Sequence, residues 1–592
     1  MTLFSSSSRT GPAGSLASSI RRPLSRVLRA GGAAAWFAAA LLAWPQAGAL
    51  ARPDPDKTLS APARVNAWGR PPARYEIEQE PGGERGGPVR FRLVDEGGRG
   101  GAHLIFPARF QRGEPYRATL KIRAREPILV DVMLRRDAHP YDPFAIKTVS
   151  VGRDWQQVNV EGRVLDPATS LRIAPARPGV DVWVDEVRIA PGDAGDLAPR
   201  NSGPIPRTFF GMHLIRLGSH TQWPSFSPGI LRLWDTGTTW KDLQPSPGWD
   251  FSSDGFRRLD LYLDFVRKHS RDTELLYVLG QTPAWASSDP SAKSAYGLGH
   301  NAPPRDLDLW RDYVRTLARR YAGRIRYWEL WNEPDYSIFY SGPVETMVEM
   351  ARIARQELKA ADPENRLISP GLTTAQGLAW LHRFLSAGGG RYVDAIGFHW
   401  YFGDRPESIG AFIDNVQTLL RQHGQDDKPL WNTEGGLNVP RSPGSGSASG
   451  SAAASLTLEQ QRGLVLRAML TMWSRGVDAF CYYFWEGRFP AERMVTANYR
   501  TPTPAGLAYA RGAGWMLGAR MKAAERDASG RHVFTFERDG RTFRIAWSTE
   551  GRPPLDIPED WRARRIARLD GSVDELDEAA RIELSAEPVL IE

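Results

Sequence analysis

The chain of 592 residues contains one cysteine, Cys481. An intrachain disulfide is therefore excluded, and a lone thiol in an apolar run reads as a buried packing residue. The ten histidines show no His-x-x-x-His or His-Glu-x-x-His spacing, so no catalytic metal is expected. No Gly-x-Gly-x-x-Gly follows the first strand of the region where strands and helices alternate, which removes the dinucleotide-binding fingerprint. Charge of one sign is also scarce. The formal balance is +8, but residues 1–49 hold Arg9, Arg21, Arg22, Arg26 and Arg29 and no acid; without these five about +3 remains. Over a surface this large, that balance argues against a nucleic-acid partner. The longest apolar stretch near the N-terminus, residues 33–44, is too short to span a bilayer comfortably.

That stretch has a different use. Arginines precede it, and Pro45–Gln46–Ala47–Gly48–Ala49 follows it with small residues at the spacing a signal peptidase reads. Residues 1–49 are expected to be a signal peptide. The mature chain is then periplasmic or secreted and keeps no stable membrane span. Residues 50–64, polar and rich in proline, read as a linker. Residues 65–190 carry short β-rich runs (89–94, 103–106, 116–123, 128–134, 155–160 and 182–189) broken by Gly, Pro and Asp, the pattern of a β-sandwich. Residues 191–206 read as a second linker.

Beyond it the pattern changes. Eight apolar runs (209–215, 230–234, 274–279, 325–331, 366–369, 393–400, 428–433 and 477–485) alternate with amphipathic helical stretches such as 307–321, 343–361 and 458–475. Eight βα repeats over residues 207–519 predict a (β/α)8 barrel of the α/β class. A serine- and glycine-rich segment, 442–455, would be a loop above the seventh strand. Residues 520–592 read as a small β-sandwich appendage.

Barrel strands deliver their chemistry at their C-terminal ends. Tyr327–Trp328–Glu329–Leu330–Trp331–Asn332–Glu333–Pro334 is an apolar strand that ends in a carboxyl and then in a proline, which cannot continue the ladder. A carboxyl crowded by Trp328, Trp331 and Tyr336 is poorly solvated, so its pKa rises toward what a general acid near neutrality needs. Glu434 ends the seventh run. Two carboxyls at two strand tips are the minimum equipment for cleaving a glycosidic bond. Glu329, in phase with Glu333 but deeper, reads as a partner for a basic group inside the barrel. Asn332 and Glu333 are adjacent, so both can face one site only if the strand tip twists or bulges. The 21 tryptophans offer core packing or flat surfaces for sugar rings, with Trp285 among the candidates for the second use.

Trp-Asn-Glu-Pro ending strand four, with a Glu ending strand seven, resembles clan A of the retaining glycoside hydrolases. Gly280–Gln281–Thr282–Pro283–Ala284–Trp285–Ala286 and His399–Trp400–Tyr401 are most similar to family 39, which includes β-xylosidases, iduronidases and endoglycosidases associated with bacterial exopolysaccharides. The resemblance implies Glu333 as acid/base and Glu434 as nucleophile. It implies Arg232 and Tyr401 as the groups that hold and ionise Glu434, and Asn332 as the ligand of a sugar 2-hydroxyl. His399 would be a substrate-binding residue and Trp485 the floor of the sugar site. No cofactor is implied. The substrate would be a polysaccharide or oligosaccharide cut by double displacement, with carboxyls roughly 5–5.5 Å apart. Endo action on a bacterial exopolysaccharide, beside its export machinery, is the leading expectation. An exo-acting β-xylosidase-like enzyme and a non-catalytic polysaccharide-binding protein of the envelope are the alternatives.

Overall fold

The computed structural model describes residues 63–592 except 82–86, 97–100, 139–140, 193–198, 374–375, 438–455, 488–492, 528 and 578–579. The expected signal peptide, most of the first linker and the serine- and glycine-rich segment lie outside the described residues.

The chain opens with two five-stranded antiparallel sheets stacked face to face. Alternation drives this arrangement. In Pro115–Ala124 and Asp181–Pro191, Leu120, Ile122, Val182 and Val184 point inward and are buried, while Lys121, Arg123, Trp183 and Asp185 face out. Ten strands form where the sequence suggested six. Thr169–Pro175 escaped notice because its buried run is short and bounded by proline and aspartate, yet it lies at the centre of its sheet.

The eight strands of the barrel are Phe210–Met212, Ile230–Leu233, Glu274–Val278, Tyr327–Glu329, Arg366–Ile368, Ile396–His399, Leu430–Gly435 and Val477–Tyr482. All their pairings are parallel, and isolated bridges at Ile368–Ala395 and Leu372–Phe398 close the ring between the fifth and sixth strands. The fold is a (β/α)8 barrel. Most strands read as continuous buried runs because helices cover the outside and side chains fill the inside. The first two strands are joined by residues 213–229 without a helix. The other connections carry helices, among them Leu307–Arg320, started by Asp306 accepting from the backbone N–H of Asp308, and Leu458–Ser474, started by a Thr457–Gln460 capping box.

The C-terminal part is sandwich-like: a six-stranded antiparallel sheet covered on one side by the two-stranded ribbon Pro554–Asp556 and Arg581–Glu583. Its other face is buried on the barrel, where Phe534, Phe536, Ile545 and Trp547 join the barrel's own core. Met133 and Ile146 of the N-terminal sandwich join that core as well. Arg163 of the sandwich donates its backbone N–H to Asn415 (2.7 Å) and pairs with Asp414 (2.6 Å) on a barrel helix. The described part of residues 191–206 is packed rather than free. Ile205 is buried, and Asn201 donates to the carbonyl of Val477. Among the described residues no helix is long and apolar enough to cross a membrane.

Candidate active site

Arg232, on the second strand, is fully buried and aims its guanidinium at three strand tips. Its Nε donates to Glu329 (2.6 Å), one terminal nitrogen to Glu434 (2.7 Å) and the other to Asn332 Oδ1 (2.7 Å). A planar fork with fixed donors is suited to such a three-way hub. Burial alone would lower its pKa, but Glu329 and Glu434 more than offset this, and Arg232 stays charged. Thr433 gives its hydroxyl to the other Glu329 oxygen (2.6 Å), so Glu329 is fully occupied as a structural counter-ion.

Glu434 is held on both oxygens. Arg232 takes Oε2, and Tyr401 donates to Oε1 at 2.6 Å. Burial, reinforced by Glu333, raises its pKa above the usual carboxylate value, and His399, Arg232 and the Tyr401 hydroxyl oppose that rise in part. Tyr401 itself is held in the protonated, donating form by burial and by the adjacent carboxylate.

Glu333 is placed by a local turn. Ladder bonds continue beyond the regular strand, from Leu330 N–H to Ile368 O and from Glu333 N–H to Gly371 O (2.8 Å), and stop at Pro334. Glu333 adopts φ +46°, the left-handed conformation that non-glycine residues seldom take. This turn, rather than a bulge, is how the adjacent Asn332 and Glu333 both reach the site. The register shift lies instead between strands six and seven, where it sets His399 opposite Glu434.

Desolvation pushes the Glu333 carboxyl up to about 8; Arg232 opposes this, and Asp235 and Glu329 reinforce it. Its Oε1 lies 2.9 Å from His399 Nδ1. Burial brings His399 down to about 4, so near neutrality this contact joins two uncharged groups and is no ion pair. Gly371 is required by packing. A Cβ there would come within 2.1 Å of His399 Nε2.

One oxygen of Glu333, one of Glu434 and a nitrogen of His399 lie within 4.8 Å of one another. Such a trio is compatible with a cation. Here both Glu434 oxygens already have donors, and the raised Glu333 retains a proton near neutrality, so the geometry suits a proton donor facing an ionised nucleophile.

Trp485 is buried against Phe226, and its backbone N–H donates to the carbonyl of His213. The aromatic of strand eight that reaches the site is Tyr483, whose ring lies 6.3 Å from that of Tyr401 and 4.9 Å from that of His213. The regular strand ends at Tyr482, and the chain beyond it sets Tyr483, not Trp485, beside Tyr401. Trp285 donates its indole N–H to the Gln244 carbonyl (2.9 Å) and does not line the cavity beside Asn332. That cavity, only about 10 Å³, is walled by Trp234, Gln281, Tyr296 and Phe339. His213 is buried, 3.2 Å from the carbonyl of Thr433, and burial keeps it neutral.

Sequence reasoning missed Asp235 and Tyr296. A strand ending Arg-Leu-Trp-Asp was the available signal for the first. Tyr296 sits in a long loop and had none.

Residues 312–509 match the family model of the glycosyl hydrolase catalytic core. No curated protein matches the chain. Among solved structures, the family 39 β-xylosidase of Caulobacter crescentus is similar at 16% identity, covering 66% of this chain and 97% of its own, with a TM-score of 0.47. The family 39 enzyme of Xanthomonas axonopodis pv. citri gives 15%, 67%, 97% and 0.44 in the same order. The family 30 subfamily 8 xylanase of Clostridium acetobutylicum gives 13%, 67%, 97% and 0.45.

Proposed function

We propose that the chain, a glycoside hydrolase by its matched catalytic core, cleaves β-linked sugars with retention of configuration, after export, within a bacterial exopolysaccharide. The observation that carries the retaining mechanism is the approach of the Glu333 and Glu434 oxygens to within 4.8 Å. Inverting enzymes keep their carboxyls roughly 6.5–9.5 Å apart to admit a water between them.

Glu434 attacks the anomeric carbon while Glu333 passes its proton to the leaving oxygen. Esterified Glu434 carries no charge, so the field that kept Glu333 protonated weakens. Glu333 then takes a proton from water, and the water releases the sugar. Asn332, fixed through its Oδ1 by Arg232, is placed to meet the sugar's 2-hydroxyl. Export rests on the N-terminal pattern and endo action on the family resemblance. An exo-acting enzyme is the alternative. Product lengths from a digested polysaccharide decide: early short oligomers mean endo, monosaccharide alone means exo.

Two results test the chemistry. Glu333→Gln should lower kcat/KM, which reports the first step alone, at least about 100-fold on glycosides with poor leaving groups and far less on dinitrophenyl glycosides, which need no proton to leave. Equal losses on both would remove Glu333 from the acid role. The alkaline limb of kcat/KM should fall near pH 8, because the protonated form of Glu333 is lost as pH rises through about 8. A limb below pH 6 would contradict this.

A further inference from the structure

We infer that Asp235 contacts the sugar on which Glu333 and Glu434 act, and that it makes the site one for uncharged or ammonium-bearing sugars and against uronates. The inference rests on the retaining glycosidase reading above.

Asp235 follows the second strand, three residues after Arg232. Its φ of +59° is again left-handed. That conformation is one a non-glycine residue adopts at a cost, and it turns the side chain away from the strand's alternation. Two loops meet to hold the carboxylate. Tyr296 donates to Oδ1 at 2.8 Å, and Tyr483 donates to Oδ2 at 2.6 Å. Both tyrosines belong to the site. Tyr296 lines the cavity beside Asn332. The ring of Tyr483 lies against Tyr401, whose hydroxyl holds the nucleophile. The charge of Asp235 is among those felt by Glu333.

Asp235 is half-buried, and among the described residues no lysine or arginine pairs with it. Each oxygen accepts one tyrosine hydroxyl and keeps lone-pair capacity for another donor. The two tyrosines that fix Asp235 tie it both to the cavity wall, through Tyr296, and to the neighbour of Tyr401, through Tyr483. Sugar hydroxyls and ammonium groups are donors of the required kind.

The charge balance points the same way. The guanidinium of Arg232 serves Glu329, Glu434 and Asn332, one nitrogen each, while Asp235 adds a further negative charge felt by Glu333. Among the described residues no other lysine or arginine pairs with these carboxylates, so a uronate bound here would bring one more negative charge into a poorly solvated site.

The experiment uses the full chain with 4-nitrophenyl β-xyloside, β-glucoside, β-glucosaminide and β-glucuronide as probes. The best neutral or amino glycoside should exceed the glucuronide in kcat/KM by about 100-fold or more. Asp235→Asn should cut kcat/KM on that substrate by about 10–100-fold and narrow the preference at least about tenfold. It should also move the alkaline limb to lower pH, since one charge that holds the Glu333 proton is gone; Arg232, Glu329, Glu434, His399, Tyr336, Tyr401 and Asp335 (itself pushed up to about 7 by burial), which also face Glu333, are unchanged. Tyr296→Phe keeps the charge and loosens the aim. It should lower kcat/KM by roughly 3–10-fold with the limb and the charge preference intact, and it serves as the test if Asp235→Asn does not fold. Wild-type turnover of the glucuronide at the neutral rate, or an Asp235→Asn enzyme with unchanged preference and limb, would overturn the inference. If a 2-deoxy-2-fluoro glycoside fails to label Glu434, the retaining reading falls first and the inference falls with it.

Discussion

Glu434→Ala should reduce turnover by about 10⁴-fold or more, equivalent to roughly 5.5 kcal/mol of barrier. Sodium azide should restore part of it, yielding a glycosyl azide of inverted configuration. The reasoning is geometric. Glu434 is the carboxylate fixed on both oxygens, by Arg232 and by Tyr401, and it faces a proton donor within 4.8 Å. Removing it leaves the donor in place and opens a space in which a small anion can attack from the same side. Arg232 keeps Glu329 as a counter-ion, so the fold should survive with only a small change in Tm. Circular dichroism and product stereochemistry by NMR check both halves. Residual activity above about 1%, or a rescued product of unchanged configuration, would mean that another group is the nucleophile.

Arg232→Met should be the most damaging single substitution for the fold. It strips the cation from Glu329, which is fully buried, and from Glu434, which is nearly so. Breaking a buried ion pair from one side costs about 3–5 kcal/mol, because the remaining charge is stranded. The double variant Arg232→Met with Glu329→Met should recover much of that loss, since removing both partners leaves no stranded charge. A pH dependence accompanies the single variant. Stranded carboxylates have raised pKa values in the folded state, so folding binds protons, and the single variant should lose stability as pH rises from acid toward neutral. Activity should be absent at every pH and in both variants, because Glu434 has lost the charge that keeps it ionised. Denaturant unfolding of the three proteins at two pH values provides the measurement. A single variant as stable as the double one would refute the hub role of Arg232.

Much of the barrel was legible because its signals repeat. Eight apolar runs separated by amphipathic helices admit few other architectures, and the two acids were found because each closes such a run. Irregular backbone was harder to read. Glu333 and Asp235 both reach the site through left-handed turns, which period-two alternation cannot describe. Glu333 was still found, since its neighbours Asn332 and Pro334 mark it. Asp235 has no such neighbours. Trp485 was expected from the family resemblance, which matches a residue type at the end of strand eight and does not register where the regular strand stops. Of the four strands of the N-terminal sandwich that were missed, Arg64–Trp68 and Arg74–Gln79 are edge strands with no buried residue and so no alternation, while Pro143–Val151 and Thr169–Pro175 carry buried runs in place of alternation.

Because the sandwich and the C-terminal sheet both seat side chains in the interior of the barrel, the molecule has no clean seam at which to be cut. A barrel excised for convenience would lose Met133 and Ile146 at one side and Trp547 at the other, and would present raw apolar patches where those residues had been. Kinetic work on such a fragment would describe a different object, and any engineering of specificity has to carry all three parts together.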